Sequence, residues 1–204
     1  VAKFEPAGQA VLYATYLGVA GVQGQLCGGA GPDGNYDASG FALALDGAGS
    51  IYVTGQAEPG LAATAGAVNV APTQPITHIG GASFQTASHA FVVKIGPTGS
   101  LAWSARLGGN DHDRGTSIAV DAGGFVYVAG KTASNAFTAV GGFGSAYPYV
   151  ERYCLNATPE VGFLAKLAPD GTHLLFSGFL PVMGDAFDRC MNTFDLQPLR
   201  IHPD

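Results

Sequence analysis

Charge is scarce in this sequence. Asp, Glu, Lys and Arg make up only 12% of its 204 residues, with nine Lys plus Arg against fifteen Asp plus Glu and a formal net charge of −6. With no basic run anywhere, the chain lacks the electrostatic footprint of nucleic-acid binding, which excludes nucleic acid as a partner. Cysteine is also rare. Cys27, Cys154 and Cys190 are too few for a disulfide framework, and no pair has zinc-ligand spacing. In an oxidising compartment three thiols leave one bridge and one free thiol. Cys154 with Cys190 is the expected pair, the other pairings staying open. No segment approaches the roughly eighteen consecutive apolar residues of a transmembrane helix. Val1 opens without Met or a signal-peptide pattern, so the chain reads as an interior or processed piece, part of a longer chain or larger complex.

What is present is glycine and apolar surface. The chain holds 31 Gly and 12 Pro, and 47% of it is hydrophobic. That is too apolar for disorder and too rich in Gly, Thr, Val, Tyr and Phe for long helices. A chain of this length can bury roughly 70% of its extended surface. All-β is the class these numbers favour.

Two kinds of hairpin alternate along the chain. The run Phe41-Ala-Leu-Ala-Leu-Asp46-Gly-Ala-Gly-Ser-Ile-Tyr52-Val-Thr-Gly55 recurs as Thr116-Ser-Ile-Ala-Val-Asp121-Ala-Gly-Gly-Phe-Val-Tyr127-Val-Ala-Gly130, in register and without a gap. The second kind carries Lys3, Lys94 or Lys166, then Pro6, Pro97 or Pro169 three residues on, then Gly8, Gly99 or Gly171. Pro presets φ for a turn and Gly accepts the positive φ that follows, so each trio reverses a strand. The flanks alternate apolar and polar residues, as half-buried strands do.

Taken in order, these hairpins read as four-stranded antiparallel β-propeller blades with long inter-strand loop inserts. There are about two blades with flanking half-blades, and two cannot close a ring. The expected division is a hairpin of the blade's third and fourth strands over 1–18, an insert over 19–36, blades over 37–108 and 109–180, and the start of another blade over 181–204. The runs from Gly115 to Gly130 and from Ala90 to Gly99 resemble the bacterial SBBP-type β-propeller repeat, a relative of NHL-like propellers. The resemblance covers roughly half the chain. It implies a large secreted or surface protein, hence an extracytoplasmic location, and carries over no catalytic residues.

Two inserts lie between the second and third strands of the expected blades, from Gln56 to Ser88 and from Lys131 to Val161. Loops of that length are usually functional or disordered. The second insert holds Phe137, Phe143, Tyr147, Tyr149 and Tyr153, an aromatic set that can offer contact area to a protein or glycan, or fold back as a small private core. An acidic pair recurs at each junction between units: Asp33 with Asp37, Asp111 with Asp113, Asp185 with Asp188. Such carboxylates can hold calcium or cap the turn, and a once-per-unit position favours capping. No other cofactor is implied.

His112, between Asp111 and Asp113, could serve as a general base, but no nucleophile can be assigned beside it and a solvated loop histidine is the simpler reading. Lys3, Lys94 and Lys166 are expected to face solvent and discourage edge pairing, with an anion-binding ring as the competing reading. Trp103 is expected in the core or between blades. The sequence thus points to a non-catalytic extracytoplasmic platform for a protein or glycan, or a structural subunit of a cell-envelope or extracellular assembly. The alternative is a glycan-active hydrolase or lyase with its acids on one propeller face.

Overall fold

A computed structural model describes residues 1–15, 17, 38–57, 61–70, 88–141, 144, 146, 160–180 and 199–200. These hold ten strands: β1 (Ala2–Phe4), β2 (Val11–Ala14), β3 (Ala38–Leu45), β4 (Ile51–Ala57), β5 (His89–Ile95), β6 (Leu101–Leu107), β7 (Asp113–Val120), β8 (Val126–Thr132), β9 (Val161–Leu167) and β10 (Leu174–Phe179). The protein is all-β, with no helix among the described residues. Strands β3-β4-β5-β6 form one four-stranded sheet in sequence order, β7-β8-β9-β10 form a second, and β1-β2 form a separate hairpin. Every pairing within them is antiparallel.

The turns follow from the local sequence. In Asp46–Ser50 the Gly49 amide donates to the Asp46 carbonyl (3.0 Å) and the Asp46 amide to the Ser50 carbonyl (3.2 Å). Gly49 has a φ of 82°, the left-handed residue that closes a three-residue hairpin. The same pair of bonds recurs at Asp121–Phe125 and at Gly96–Ser100. Hairpins of one geometry recurring along the chain lay successive strands side by side.

Alternation then decides which residues meet. On β4 and β5, Tyr52, Ala90 and Val92 point to one face, and Ile51, Val53, Phe91, Val93 and Ile95 to the other. The first face packs on Ile118, Val126, Val128, Phe163, Ala165 and Leu167 of the second sheet. The opposite face packs on Val1 and Tyr13 of the β1–β2 hairpin. Strands β4 and β5 are therefore covered on both faces, which explains why nearly every residue along them is buried, while β3 at the edge of the sheet is not.

One contact fixes the spacing of the layers. A Cβ at Gly171 would lie 2.7 Å from the ring of Trp103, and a Cβ at Gly99 would lie 2.8 Å from the ring of Tyr13. Both glycines have positive φ, 72° and 91°. Each turn therefore seats a bare backbone on an aromatic ring of the preceding unit, and Trp103, 6% exposed, lies between the sheets as expected.

The inserts cover sheet edges. Beside β6, the Thr64 amide donates to the Ser104 carbonyl (2.9 Å) and the Arg106 amide to the Val68 carbonyl (2.9 Å). Beside β10, Val140 and Ser177 exchange amide-to-carbonyl bonds of 2.9 and 3.0 Å, and the Phe179 amide donates to the Gly144 carbonyl (2.9 Å). Segments from two different inserts thus protect the same strand position in the two sheets, hiding donors and acceptors that would otherwise invite pairing.

Candidate functional site

The polar architecture of the molecule is repeated, not singular. Asp46 Oδ1 accepts from the Ala48 and Ser50 amides (3.0 and 2.8 Å), its Oδ2 accepts from the Tyr52 hydroxyl (3.1 Å), and Lys94 Nζ stands 3.9 Å away. In the second sheet Asp121 Oδ1 accepts from the Gly123 and Phe125 amides (both 2.9 Å), its Oδ2 from the Tyr127 hydroxyl (3.1 Å), and Lys166 Nζ lies 3.9 Å off. The geometry comes from the ladder, because Tyr52 is register partner of Lys94 and Tyr127 of Lys166. The ammonium of Lys94 sits 5.0 Å from the Tyr52 ring centre, and that of Lys166 4.6 Å from the ring centre of Tyr127.

Electrostatics favour this arrangement. Burial works to raise the Asp46 carboxyl, but hydrogen bonds from Ser50, Tyr52 and Ala48 outweigh it and hold the group below its ordinary range. Burial and the adjoining Asp46 carboxylate push the Tyr52 hydroxyl well above its ordinary value. Tyr52 therefore stays a neutral donor to a charged acceptor.

This overturns the expectation for the lysines. Lys94 and Lys166 lie on interior strands of their sheets, and their ammonium groups turn across the ladder to a carboxylate and an aromatic face. At 3.9 Å each ammonium is an ion-pair neighbour of its carboxylate and lies over an aromatic face, an electrostatic contact made across the ladder. These lysines neither guard an edge nor form an open anion-binding ring.

Of the aromatic set in the second insert, Phe137 is 5% exposed, its ring centre 4.6 Å from that of Phe163 and 6.1 Å from that of Phe179. It belongs to the core and not to a contact surface, because the start of the insert folds over the second sheet. Phe143, Tyr147, Tyr149 and Tyr153 lie outside the described residues, as do Asp33, Asp37, Asp185, Asp188, Cys27, Cys154 and Cys190.

The remaining acidic pair works locally. Asp113, 1% exposed, accepts from the Gly109 amide (2.9 Å) and the Ser134 hydroxyl (3.1 Å) through Oδ2. Asp111 Oδ1 accepts from the His112 amide (2.7 Å), and the Asp111 amide donates to Ser134 Oγ (2.8 Å). The junction turn is thereby tied to the start of the second insert. No group of three or more His, Cys, Asp or Glu among the described residues is placed to hold a metal ion. His112 Nδ1 accepts from the Ser88 amide (3.2 Å) and contacts the Ser88 hydroxyl (3.1 Å), a fastening for the end of the first insert.

Sequence reasoning missed His89. It is 1% exposed at the head of β5, with Nδ1 4.0 Å from Asp113 Oδ2. A histidine after a long insert gives no signal of burial, since its neighbour is set by how the sheets meet. A shallow groove of about 520 Å³ also opens between the layers, lined by Thr64, Lys94, Trp103, Pro169, Asp170 and Thr172. It is a seam of the stack, with the Trp103 indole N–H already donating to the Pro169 carbonyl (3.1 Å).

Stacked antiparallel sheets and one turn chemistry repeated in each define an all-β repeat protein, with the cluster of His89, Asp113 and Ser134 as a polar arrangement that stands outside the repeat. Residues 102–138 match the family model of SBBP, the beta-propeller repeat, so the chain carries the repeat that its sequence resembles. The match begins within β6 and runs beyond β8, so the sequence repeat straddles two sheets. A comparison with curated proteins finds no match. The repeat points to a propeller-type binding or structural role. No helix among the described residues is long and apolar enough to cross a membrane.

Proposed function

We propose that the chain is a run of β-propeller blades that forms a non-catalytic platform for a protein or glycan partner, or a structural subunit of an extracytoplasmic assembly. The observation that carries this reading is the repeated seat of a turn glycine on an aromatic of the preceding unit, Gly99 on Tyr13 and Gly171 on Trp103. Units that meet their neighbours through one recurring contact are built to continue as a stack, and propellers close such stacks into rings. The two sheets fall within 37–108 and 109–180, which supports reading each as one blade.

A platform role is further supported by symmetry. A catalytic site needs unlike residues at equivalent positions, whereas Asp46 and Asp121, Tyr52 and Tyr127, and Lys94 and Lys166 repeat their contacts. Partner contact is assigned to Phe143, Tyr147, Tyr149 and Tyr153, because Tyr gives wide amphipathic area at low entropic cost. The extracytoplasmic location rests on the family resemblance and is tested by cell fractionation.

Cryo-electron microscopy of the complete native polypeptide tests the architecture: a ring with a glycine-on-aromatic seat at each junction supports it, and sheets packed as an open sandwich refute it. For the partner, replacing Tyr147, Tyr149 and Tyr153 together by Ala should weaken capture on a glycan array or by envelope proteins at least about tenfold. Unchanged capture removes those residues from the binding surface.

A further inference from the structure

Three positions break the match between the two sheets. By register, Asp113, Thr132 and His89 stand where the other sheet has Ala38, Ala57 and Val161. Polar residues thus replace apolar ones at a place that stays buried, with Asp113 and His89 1% exposed and Thr132 0%. The cluster lies across the junction, since His89 heads β5 in the first sheet and Asp113 heads β7 in the second. A main-chain bond ties the same two strand heads, the Asp113 amide donating to the Ser88 carbonyl (2.8 Å).

Asp113 and His89 do not complete each other's bonding. Asp113 Oδ2 accepts from Gly109 and Ser134, but its buried Oδ1 and the buried Nδ1 of His89 have no hydrogen-bond partner. Nδ1 lies 4.0 Å from Oδ2, about 1 Å beyond a hydrogen bond. A buried carboxylate without a cation is costly, and among the described residues no lysine or arginine pairs with this one. The charged neighbours are engaged elsewhere. Arg114 alternates to the opposite face of β7 and pairs with Glu160, and Lys131 alternates likewise on β8. Asp111 Oδ1 takes the His112 amide, and His112 Nδ1 takes the Ser88 amide. Gly108 packs its backbone against both groups, since a Cβ there would lie 2.5 Å from Asp113 Oδ2 and 3.1 Å from His89 Nδ1. Among the described residues, then, the charge that can neutralise Asp113 is that of a protonated His89.

We propose that His89 and Asp113 form a proton-controlled clasp between the two sheets. When the imidazole takes a proton from solvent, its Nδ1–H donates to Asp113 Oδ1 and both unpartnered atoms are satisfied. When the proton returns to solvent, a lone carboxylate is left in the core and the strand heads part at the bond between Asp113 and Ser88. The clasp therefore closes at lower pH and opens as pH rises. His112 responds in the opposite sense, because its bond from the Ser88 amide needs an unprotonated Nδ1. The seat of Gly171 on Trp103 lies at the other end of these strands and holds while the clasp opens. The clasp needs two adjoining sheets and not a closed ring, so it stands or falls apart from the blade reading.

The test is ring-nitrogen NMR of the protein labelled at histidine, with amide hydrogen exchange, across about pH 5 to 8, the span in which histidine side chains change charge. Both are repeated in His112→Asn, which keeps an acceptor for the Ser88 amide but cannot titrate. The expected result is a His89 ring carrying both protons at the acid end. Protection of the Asp113 amide, taken relative to its intrinsic exchange rate at each pH, should then fall at least about tenfold as the ring deprotonates. Asp113→Asn keeps an oxygen for Gly109 and Ser134 and should erase that fall.

A His89 ring that stays in one protonation state throughout overturns the proposal. So does protection that is unchanged through the titration of the ring, or that falls equally in Asp113→Asn. The first two readings come from chains with Asp113 intact, so they decide the matter even where Asp113→Asn does not fold.

Discussion

Strands β3 and β7 hold the same place in their sheets and begin the same turn, yet they live in different surroundings. On β7, Ile118 is 5% exposed and part of the core shared by the two sheets; on β3, Leu43 is 63% exposed. Local sequence makes both residues apolar and both segments strands. What differs is the layer in front. Among the described residues the β1–β2 hairpin reaches β4 and β5, where Ile51, Val53, Phe91 and Val93 are buried, and Ala38 at the start of β3, but not Phe41, Leu43 and Leu45. In a stack of repeats burial belongs to the junction, so equal strands carry unequal shares of the stability.

The largest test of that contrast is a matched pair of truncations. Ile118→Ala should cost about 2–5 kcal/mol in urea unfolding, since it removes buried groups and leaves a cavity, whereas Leu43→Ala should stay within about 0.5 kcal/mol, as for an exposed site. Equal losses would mean that β3 is covered in solution. Next come the turn glycines. Gly171→Ala meets both a φ of 72° and the Trp103 ring, while Gly8→Ala meets the same φ with nothing within 4 Å. Backbone strain alone costs about 1–2 kcal/mol in each, and the excess measured for Gly171→Ala reports the seat between layers. Equal values would show that the ring yields freely.

Smaller effects sharpen the likeness of the two sheets. Asp46→Asn and Asp121→Asn should each destabilise by about 1–2 kcal/mol, as each carboxylate accepts three hydrogen bonds. A large difference between them would show that the repeated network is not equally strained or buried in the two sheets. The pH profile follows from the same network. The Asp46 carboxyl lies below its ordinary 3.8, so its contribution is present above that value and is lost as pH falls through the folded-state value. Tyr52 is raised above its ordinary 10.0, so its contribution is present below pH 10 and fades as pH climbs above it. Tyr52→Phe should flatten the alkaline limb, read by thermal unfolding across pH.

Much of the fold was legible along the chain, because turn chemistry is local. Lys94-x-x-Pro97-x-Gly99 and Asp46-x-x-Gly49 state where strands reverse, and the intervening alternation states which are strands. The site was less legible. The pairing of Lys94 with Asp46 joins residues from different hairpins, and solvent-facing lysines were the natural but wrong expectation from strand position alone. The burial of Phe137 against Phe163 and the approach of His89 to Asp113 depend on where an insert returns, which no local pattern encodes.

The sequence by itself determined the all-β class, the turns, the repeat and the alternation of faces, because each rests on φ preferences and side-chain polarity within a few residues. Only the tertiary structure decided which face is covered, which edge an insert protects and which carboxylate each lysine finds. Those outcomes depend on strands and layers brought together from distant parts of the chain, and contact between layers is what turns an apolar residue into a buried one.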